Sequence, residues 1–122
     1  MSRFATPDKR KRAERRGRWS EWGAALFLMA KGYRILAMRY RVRAGEIDII
    51  ARRGELVAFV EVKARGNAMA AVDAVTFASQ LRIRAASDYW LARQPDVARL
   101  LLRYDIVAVM PWKMPRHFEG AF

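Results

Sequence analysis

Apolar and polar residues alternate with a period of two through the central part of the chain, which is the pattern of half-buried β-strands. Residues 33–41 alternate in this way, and residues 45–65 hold two further runs on either side of a turn sequence at 52–55. Gly54 can take the positive φ of a tight turn, so residues 45–65 predict a β-hairpin. Residues 101–110 are rich in β-branched side chains and predict a fourth strand, which ends at Pro111.

Two segments show helical spacing instead. The first runs from about residue 19 to 31 and is ended by Gly32, and the second runs from about residue 78 to 93 before Gln94-Pro95. Residues 66–77 predict a mobile loop, and the tail after Pro111 predicts irregular structure. The order is therefore α-β-β-β-α-β, an α/β fold with a mixed four-stranded sheet flanked by helices.

Charge is unevenly distributed. The formal net charge is +12, and residues 1–18 contribute half of it, from eight basic and two acidic residues. We predict a disordered basic arm over residues 1–16 and a single domain over residues 17–122. The arm is either a solubilising tail or a nucleic-acid-binding segment, and both interpretations stay open. A chain with this much positive charge is expected to bind nucleic acid.

The composition excludes several kinds of site and indicates a cellular compartment. The chain has no cysteine, which excludes disulfides, thiolate zinc sites and cysteine nucleophiles. The apolar run at residues 22–30 is too short to span a bilayer, because a spanning helix needs roughly 20 residues. We therefore predict a cytoplasmic protein with no membrane association.

The hairpin carries an unusual set of charges for apolar strands. If Arg53-Gly54 is the two-residue loop, Asp48 lies opposite Phe59 and becomes the diagonal neighbour of Glu61, roughly 7–8 Å away at Cβ. Lys63 follows Glu61 on the same face because side chains alternate. Charged groups in an apolar strand need a partner, and a divalent metal suits two carboxylates. The alternative is a set of solvated cross-strand ion pairs.

These residues resemble the core of the PD-(D/E)xK nucleases, whose common fold is also α-β-β-β-α-β. More closely, the chain resembles the YraN-type family of uncharacterised bacterial endonuclease-like proteins. The resemblance covers nearly everything from residue 17 onward and is carried by Glu21, GYRIL at 32–36, GEIDIIA at 45–51, FVEVKAR at 59–65 and RYDIV at 103–107. It departs from the superfamily pattern at Ile47, which stands where the proline of its name would be.

The resemblance implies a restriction endonuclease-like core and a metal site. Asp48, Glu61 and the carbonyl of Val62 would hold Mg²⁺ or Mn²⁺, while Lys63 would orient water or stabilise the reacting phosphate. Glu21 would reach the same pocket from the first helix. Four further residues are assigned to nucleic-acid binding, namely Arg65, Arg52, Arg53 and, at the start of the second predicted helix, Gln80.

Three functions follow from this sequence. The first is a magnesium-dependent nuclease acting on DNA, on branched or single-stranded structures, with a homodimer to reach both strands. The second is a catalytically inactive nucleic-acid-binding module of the same fold, and the third is a basic protein associated with RNA or the ribosome. Outside the motif, we expect Asp105 to pair with an arginine and His117 to be a surface residue.

Overall fold

The computed structural model describes the backbone of residues 7–122 and the side chains of residues 17–122. Helices and strands alternate over this range in an order close to the predicted one. The elements are α1 (Pro7–Ala30), β1 (Arg34–Val42), β2 (Gly45–Arg53), β3 (Leu56–Ala64), α2 (Ala68–Asp73), α3 (Phe77–Leu91), a 3₁₀ turn (Val97–Arg99), β4 (Leu101–Val109) and β5 (Arg116–Phe118).

One sheet runs through the domain, with its strands in the order β1-β2-β3-β4-β5. The first three strands form an antiparallel meander, β4 is parallel to β3, and β5 is antiparallel to β4. A parallel neighbour requires a crossover connection, which α2 and α3 supply. The predicted mixed α/β architecture is confirmed, although the sheet has five strands and not the predicted four.

Two segments that were predicted to be irregular are ordered. Residues 68–73 form α2 inside the predicted mobile loop, and Asn67 Oδ1 accepts the amide of Ala70 at 2.8 Å. This side-chain contact caps the helix. Residues 116–118 form β5 and add the fifth strand at the edge beside β4. The prediction of a loop and an irregular tail is wrong at these two places.

Helix α1 is longer than predicted. It begins at Pro7, and proline suits a first helical position because its missing N–H needs no partner there. The residues that follow are mostly Lys, Arg, Ala and Glu, which favour a helix. The helix ends as predicted before Gly32, whose φ is 95°. Of the predicted arm, residues 1–6 lie outside the described residues, as do the side chains of residues 7–16.

The hairpin between β2 and β3 differs from its predicted register by two residues. Arg53 pairs with Leu56, so the two-residue loop is Gly54-Glu55. Gly54 has a φ of 63° at the first loop position, where type II′ turns require a positive φ. A shift of two residues keeps every side chain on its face, but it moves Asp48 from a diagonal position to one directly opposite Glu61.

Helices cover both faces of the sheet. Helix α1 buries Ala24, Ala25 and Leu28 on one face, against a cluster that includes Ile49 and Val60. Helix α3 covers the other face with Ile83, Ala86 and Trp90, in a cluster that includes Ile50 and Phe59. Where these helices leave the start of β2 and the end of β3 uncovered, a cavity opens between α1 and the first three strands.

Candidate metal and nucleic-acid site

Most of the residues that the sequence predicts to form the site line this cavity. Its volume is about 550 Å³, and α1, β1, β2 and β3 all contribute side chains to it. The predicted site residues that line it are Glu21, Asp48, Glu61, Val62, Lys63 and Arg65. Arg39 and Arg41 from β1 and Glu46 from β2 also line it, so the cavity mixes acidic and basic groups.

Strand register sets three charged residues side by side across the sheet. Continuing the register of the neighbouring pairs, Arg39 on β1 falls opposite Asp48 on β2, and Asp48 falls opposite Glu61 on β3. Opposite residues of antiparallel strands are about 4.5–5.5 Å apart at Cα, so short side chains can meet. The backbone pairs that fix this order are Met38–Ile49, Tyr40–Ile47 and Ile49–Val60.

In β2, the regular alternation of side chains between the two faces of the sheet is interrupted at Asp48. Ile49 packs on the α1 side of the sheet, but Ile47 packs with Ile50 on the α3 side, although residues 47 and 49 should share a face. The backbone pairing of β2 with β3 ends at Ile49–Val60. Beyond it, the amide of Val62 donates to Asp48 Oδ2 at 2.8 Å, so a carboxylate continues the connection between the strands.

Asp48 and Glu61 titrate as a pair. Burial, then the neighbouring charge of Asp48 and a hydrogen bond to it, raise the pKa of Glu61 to about 8. Burial also raises the pKa of Asp48. At neutral pH Glu61 therefore retains its proton, next to the carboxyl group of Asp48. Lys63 places a positive charge beside the pair, because its Nζ lies 3.6 Å from Glu61 Oε1.

A divalent cation fits this donor set. Two buried carboxyl groups in contact retain a proton because their charges repel, and a hard dication that replaces the proton satisfies both. Among the side chains of residues 17–122, no three acidic or histidine groups are arranged around a common point for a metal. The protein would thus supply few ligands, and magnesium characteristically keeps several waters under such ligation. The Val62 carbonyl stays the predicted third ligand.

Glu21 approaches the pair from α1 but is held by β1. Arg39 Nε lies 2.6 Å from Glu21 Oε2, and the Glu21 side chain is only 12 % exposed. Glu46, by contrast, makes an open ion pair with Arg41 at 3.4 Å. Glu46, whose side chain is 51 % exposed, is therefore a solvated charge near the start of β2.

The predicted nucleic-acid contacts separate into two groups. Arg65 lies at the cavity, with Nη1 donating to the carbonyl of Ala64 at 2.7 Å. Arg52 and Arg53 lie at the hairpin turn, about 13–17 Å along the strand from Asp48 at ~3.3 Å per residue. Gln80 lies in the first turn of α3. Those three residues do not line the cavity, and their nucleic-acid contacts stay predictions.

Both turn arginines have partners within the domain. Arg52 makes an ion pair with Asp96 at 3.0 Å. Arg53 lies over the ring of Tyr33, 4.5 Å from its centroid, and its Nη1 donates to the carbonyl of Lys31 at 3.3 Å. These contacts give the turn arginines a structural role of their own.

A second polar cluster surrounds Asp105, which is fully buried. Its pairing with an arginine is confirmed, because Arg103 Nε donates to Asp105 Oδ1 at 2.8 Å. The surface location predicted for His117 is wrong: its side chain is 2 % exposed, and Nε2 lies 2.7 Å from Asp105 Oδ2. Burial opposes ionisation, but the hydrogen bonds from His117, Arg103 and Gly120 prevail and lower the pKa of Asp105 to about 2.

Fold and site together define a mixed α/β domain with a buried carboxylate pair beside a lysine. The chain belongs to the Uncharacterised protein family UPF0102, whose profile matches residues 20–109. A UPF0102 protein from Rhizobium johnstonii is 69 % identical over 113 residues, covering 93 % of both chains. Relatives from Agrobacterium fabrum and Sinorhizobium medicae are 60 % and 62 % identical, over 94 % and 100 % of both chains.

The family membership expected from the sequence is thereby confirmed at the level of UPF0102. The wider relation to nucleases stays a proposal. In the described part of the chain, no helix combines the length and apolar character needed to cross a membrane.

Proposed function

We propose that this protein is a divalent-metal-dependent nuclease that hydrolyses phosphodiester bonds of DNA. One observation carries the proposal. Asp48 and Glu61 meet in a cavity beside Lys63, on strands that otherwise bury apolar side chains. Two carboxylates for a metal and a lysine for a phosphate are the groups that such hydrolysis needs.

The proposed roles follow from position. Asp48, Glu61 and the Val62 carbonyl hold Mg²⁺ or Mn²⁺, and a bound ion would supply an acidified water and neutralise charge on the phosphate. Lys63 lines the same cavity and donates to a phosphate oxygen or to the attacking water. Since Lys63 already balances the carboxylate pair, its ammonium group stays beside the reacting atoms.

Substrate binding is assigned to basic residues at the cavity rim. Arg41 has a side chain that is 67 % exposed, and Arg65 is exposed beside Lys63. Arginine contacts to phosphate position a nucleic acid without reading its sequence. The net charge of +12 adds long-range attraction for a polyanion. Branched or single-stranded DNA is the favoured substrate.

The test is cleavage of labelled duplex, single-stranded, flapped and four-way DNA, and of RNA, with Mg²⁺ or Mn²⁺. Wild type should cut, and Glu61→Ala and Lys63→Ala should each lose about a hundredfold or more in rate. Glu55→Ala and Lys113→Ala are matched controls, since both residues are exposed and lie outside the cavity. Cutting that survives both site substitutions would exclude this mechanism.

The alternative is a nucleic-acid-binding module that has lost catalysis. The basic rim and the net charge favour it independently of the metal site. In that case DNA binding weakens steeply with salt, needs no metal and is unchanged in Asp48→Ala. Preference for RNA, lost on deletion of residues 1–18, would instead favour the RNA-associated function.

A further inference from the structure

Arg39 has a strained backbone in the middle of β1. Its φ is 53°, which lies in the left-handed region. In the described part of the chain, the other non-glycine residue with positive φ is Trp112, which lies in a loop. A strained residue within a strand persists only where its surroundings hold it, and such residues cluster at functional sites. Arg39 stands opposite Asp48 at the cavity, so its strain belongs to the proposed metal site.

The strained conformation brings a cation to the third carboxylate of the cavity. Arg39 Nε lies 2.6 Å from Glu21 Oε2, and the two side chains are 33 % and 12 % exposed. Glu21 lies close enough to Asp48 for its charge to act on that residue. Three carboxylates, Glu21, Asp48 and Glu61, thus line one cavity, and Arg39 neutralises Glu21.

If Arg39 released Glu21, a third carboxylate of the cavity would become available to a second metal ion. Two-metal sites hold their ions about 3.5–4 Å apart, with carboxylates shared between them. Here the guanidinium of Arg39 already lies against Glu21 and next to Asp48 in the strand register. A second dication at Glu21 would have to displace this partly buried ion pair and then face an adjacent positive charge.

We propose that Arg39 occupies the second cation position of the cavity, so that the site takes a single divalent ion. Arg39 is then a positioning residue, which holds Glu21 away from the metal. This inference rests on the proposed metal site at Asp48 and Glu61, and it concerns how many ions that site accepts.

The test is Mn²⁺ titration of the full chain by calorimetry, comparing wild type with Arg39→Asn. Asparagine tolerates the left-handed backbone, so this variant removes the cation without imposing the strain on a new side chain. Wild type should bind one ion per chain and Arg39→Asn should bind two. The double variant Arg39→Asn with Glu21→Gln should return to one ion, because the released carboxylate is gone.

Arg41→Asn is the matched control. It removes the same charge from the same strand at the cavity rim, where Arg41 pairs with the exposed Glu46, and it should leave one ion bound. Thermal unfolding checks that each variant folds, and Arg39→Gly, which accepts positive φ freely, replaces the asparagine variant if that one does not.

Two ions in wild type, or one ion in Arg39→Asn, would overturn the inference while leaving the metal site in place. Absence of Mn²⁺ binding in wild type would overturn the proposed metal site and this inference together. The number of ions bound therefore separates the two failures.

Discussion

Replacing Glu61 with glutamine tests the shared proton of the carboxylate pair. Glutamine keeps the size of the side chain and can still donate a hydrogen bond to Asp48, but it cannot ionise. In wild type, Glu61 must lose its proton as the pH rises. Metal-free wild type should therefore lose stability with rising pH relative to Glu61→Gln.

The sign and size of this change in stability follow from the raised pKa of Glu61. Its pKa is about 8 in the folded protein against an ordinary value of 4.5, so between these values the folded state binds one more proton than the unfolded state. The stabilising contribution is complete below pH 4.5 and is lost as the pH rises through about 8. At about 1.4 kcal/mol per pH unit, the loss is at most about 5 kcal/mol. The Glu61 side chain is 13 % exposed. Partial solvent screening therefore reduces the loss to about 2–4 kcal/mol.

The assay is urea unfolding at pH 5, 7 and 8.5 in buffers with a chelator. The difference in unfolding free energy between wild type and Glu61→Gln should shift by about 2–4 kcal/mol in favour of the variant from pH 5 to 8.5. Glu55→Gln changes an exposed turn residue. It should follow wild type within about 0.5 kcal/mol. Parallel profiles for wild type and Glu61→Gln would refute the shared proton.

The same unfolding experiment can be repeated with magnesium in place of the chelator. An ion that replaces the proton should restore the stability of wild type at pH 8.5, by about 2.7 kcal/mol at a concentration about 100 times its Kd. It should restore much less in Glu61→Gln, which offers one carboxylate fewer. Equal effects of magnesium on both proteins would place its binding elsewhere on the chain.

Three further outcomes test other parts of the structure. Asp105→Asn breaks a buried ion pair with Arg103 and should destabilise the domain by about 3–5 kcal/mol in urea unfolding. Wild type should lose about 2 kcal/mol as the pH falls from the ordinary value of 3.8 through the lowered pKa of Asp105, about 2. In Gly45→Ala the new Cβ would collide with the backbone carbonyl of Arg82 in α3, whereas Gly66 has open space around it. Gly45→Ala should therefore cost about 2 kcal/mol or more, and Gly66→Ala should be neutral in the same assay. If the homodimer forms through the exposed aromatic face of α1, Trp22→Glu should make it monomeric in sedimentation velocity.

The strands and the grouping of the motif could be predicted because both depend on local sequence. Period-two alternation identifies β1, β2 and β3, and a run rich in β-branched residues identifies β4, from the sequence of each alone. The same period keeps Asp48 and Glu61 on one face when the hairpin register shifts by two residues, so an error in the turn did not separate them. The register was missed because Gly54 stands at the first loop position and not the second.

What could not be predicted depends on contacts between distant parts of the chain. β5 has three residues, and His117 within it is held by Asp105 on the neighbouring strand, a contact that local pattern does not reveal. Helix α2 depends on the cap that Asn67 provides. In both cases a polar side chain supplies the hydrogen bond that orders the segment, and the hydrophobic pattern does not predict such a bond.

Arg39 shows most clearly what alternation leaves out. In a regular strand it is one of several arginines that follow the polar pattern, and nothing in that pattern predicts a positive φ. The φ of 53° interrupts the strand opposite Asp48, where β2 also changes the face on which its apolar residues pack. The carboxylates could be found from the sequence because they are charges within apolar strands, while the arginine that balances Glu21 was missed because its positive φ leaves no mark in the sequence. In the proposed metal site, the number of ions accepted would therefore be decided by Arg39, the residue that departs from the strand pattern.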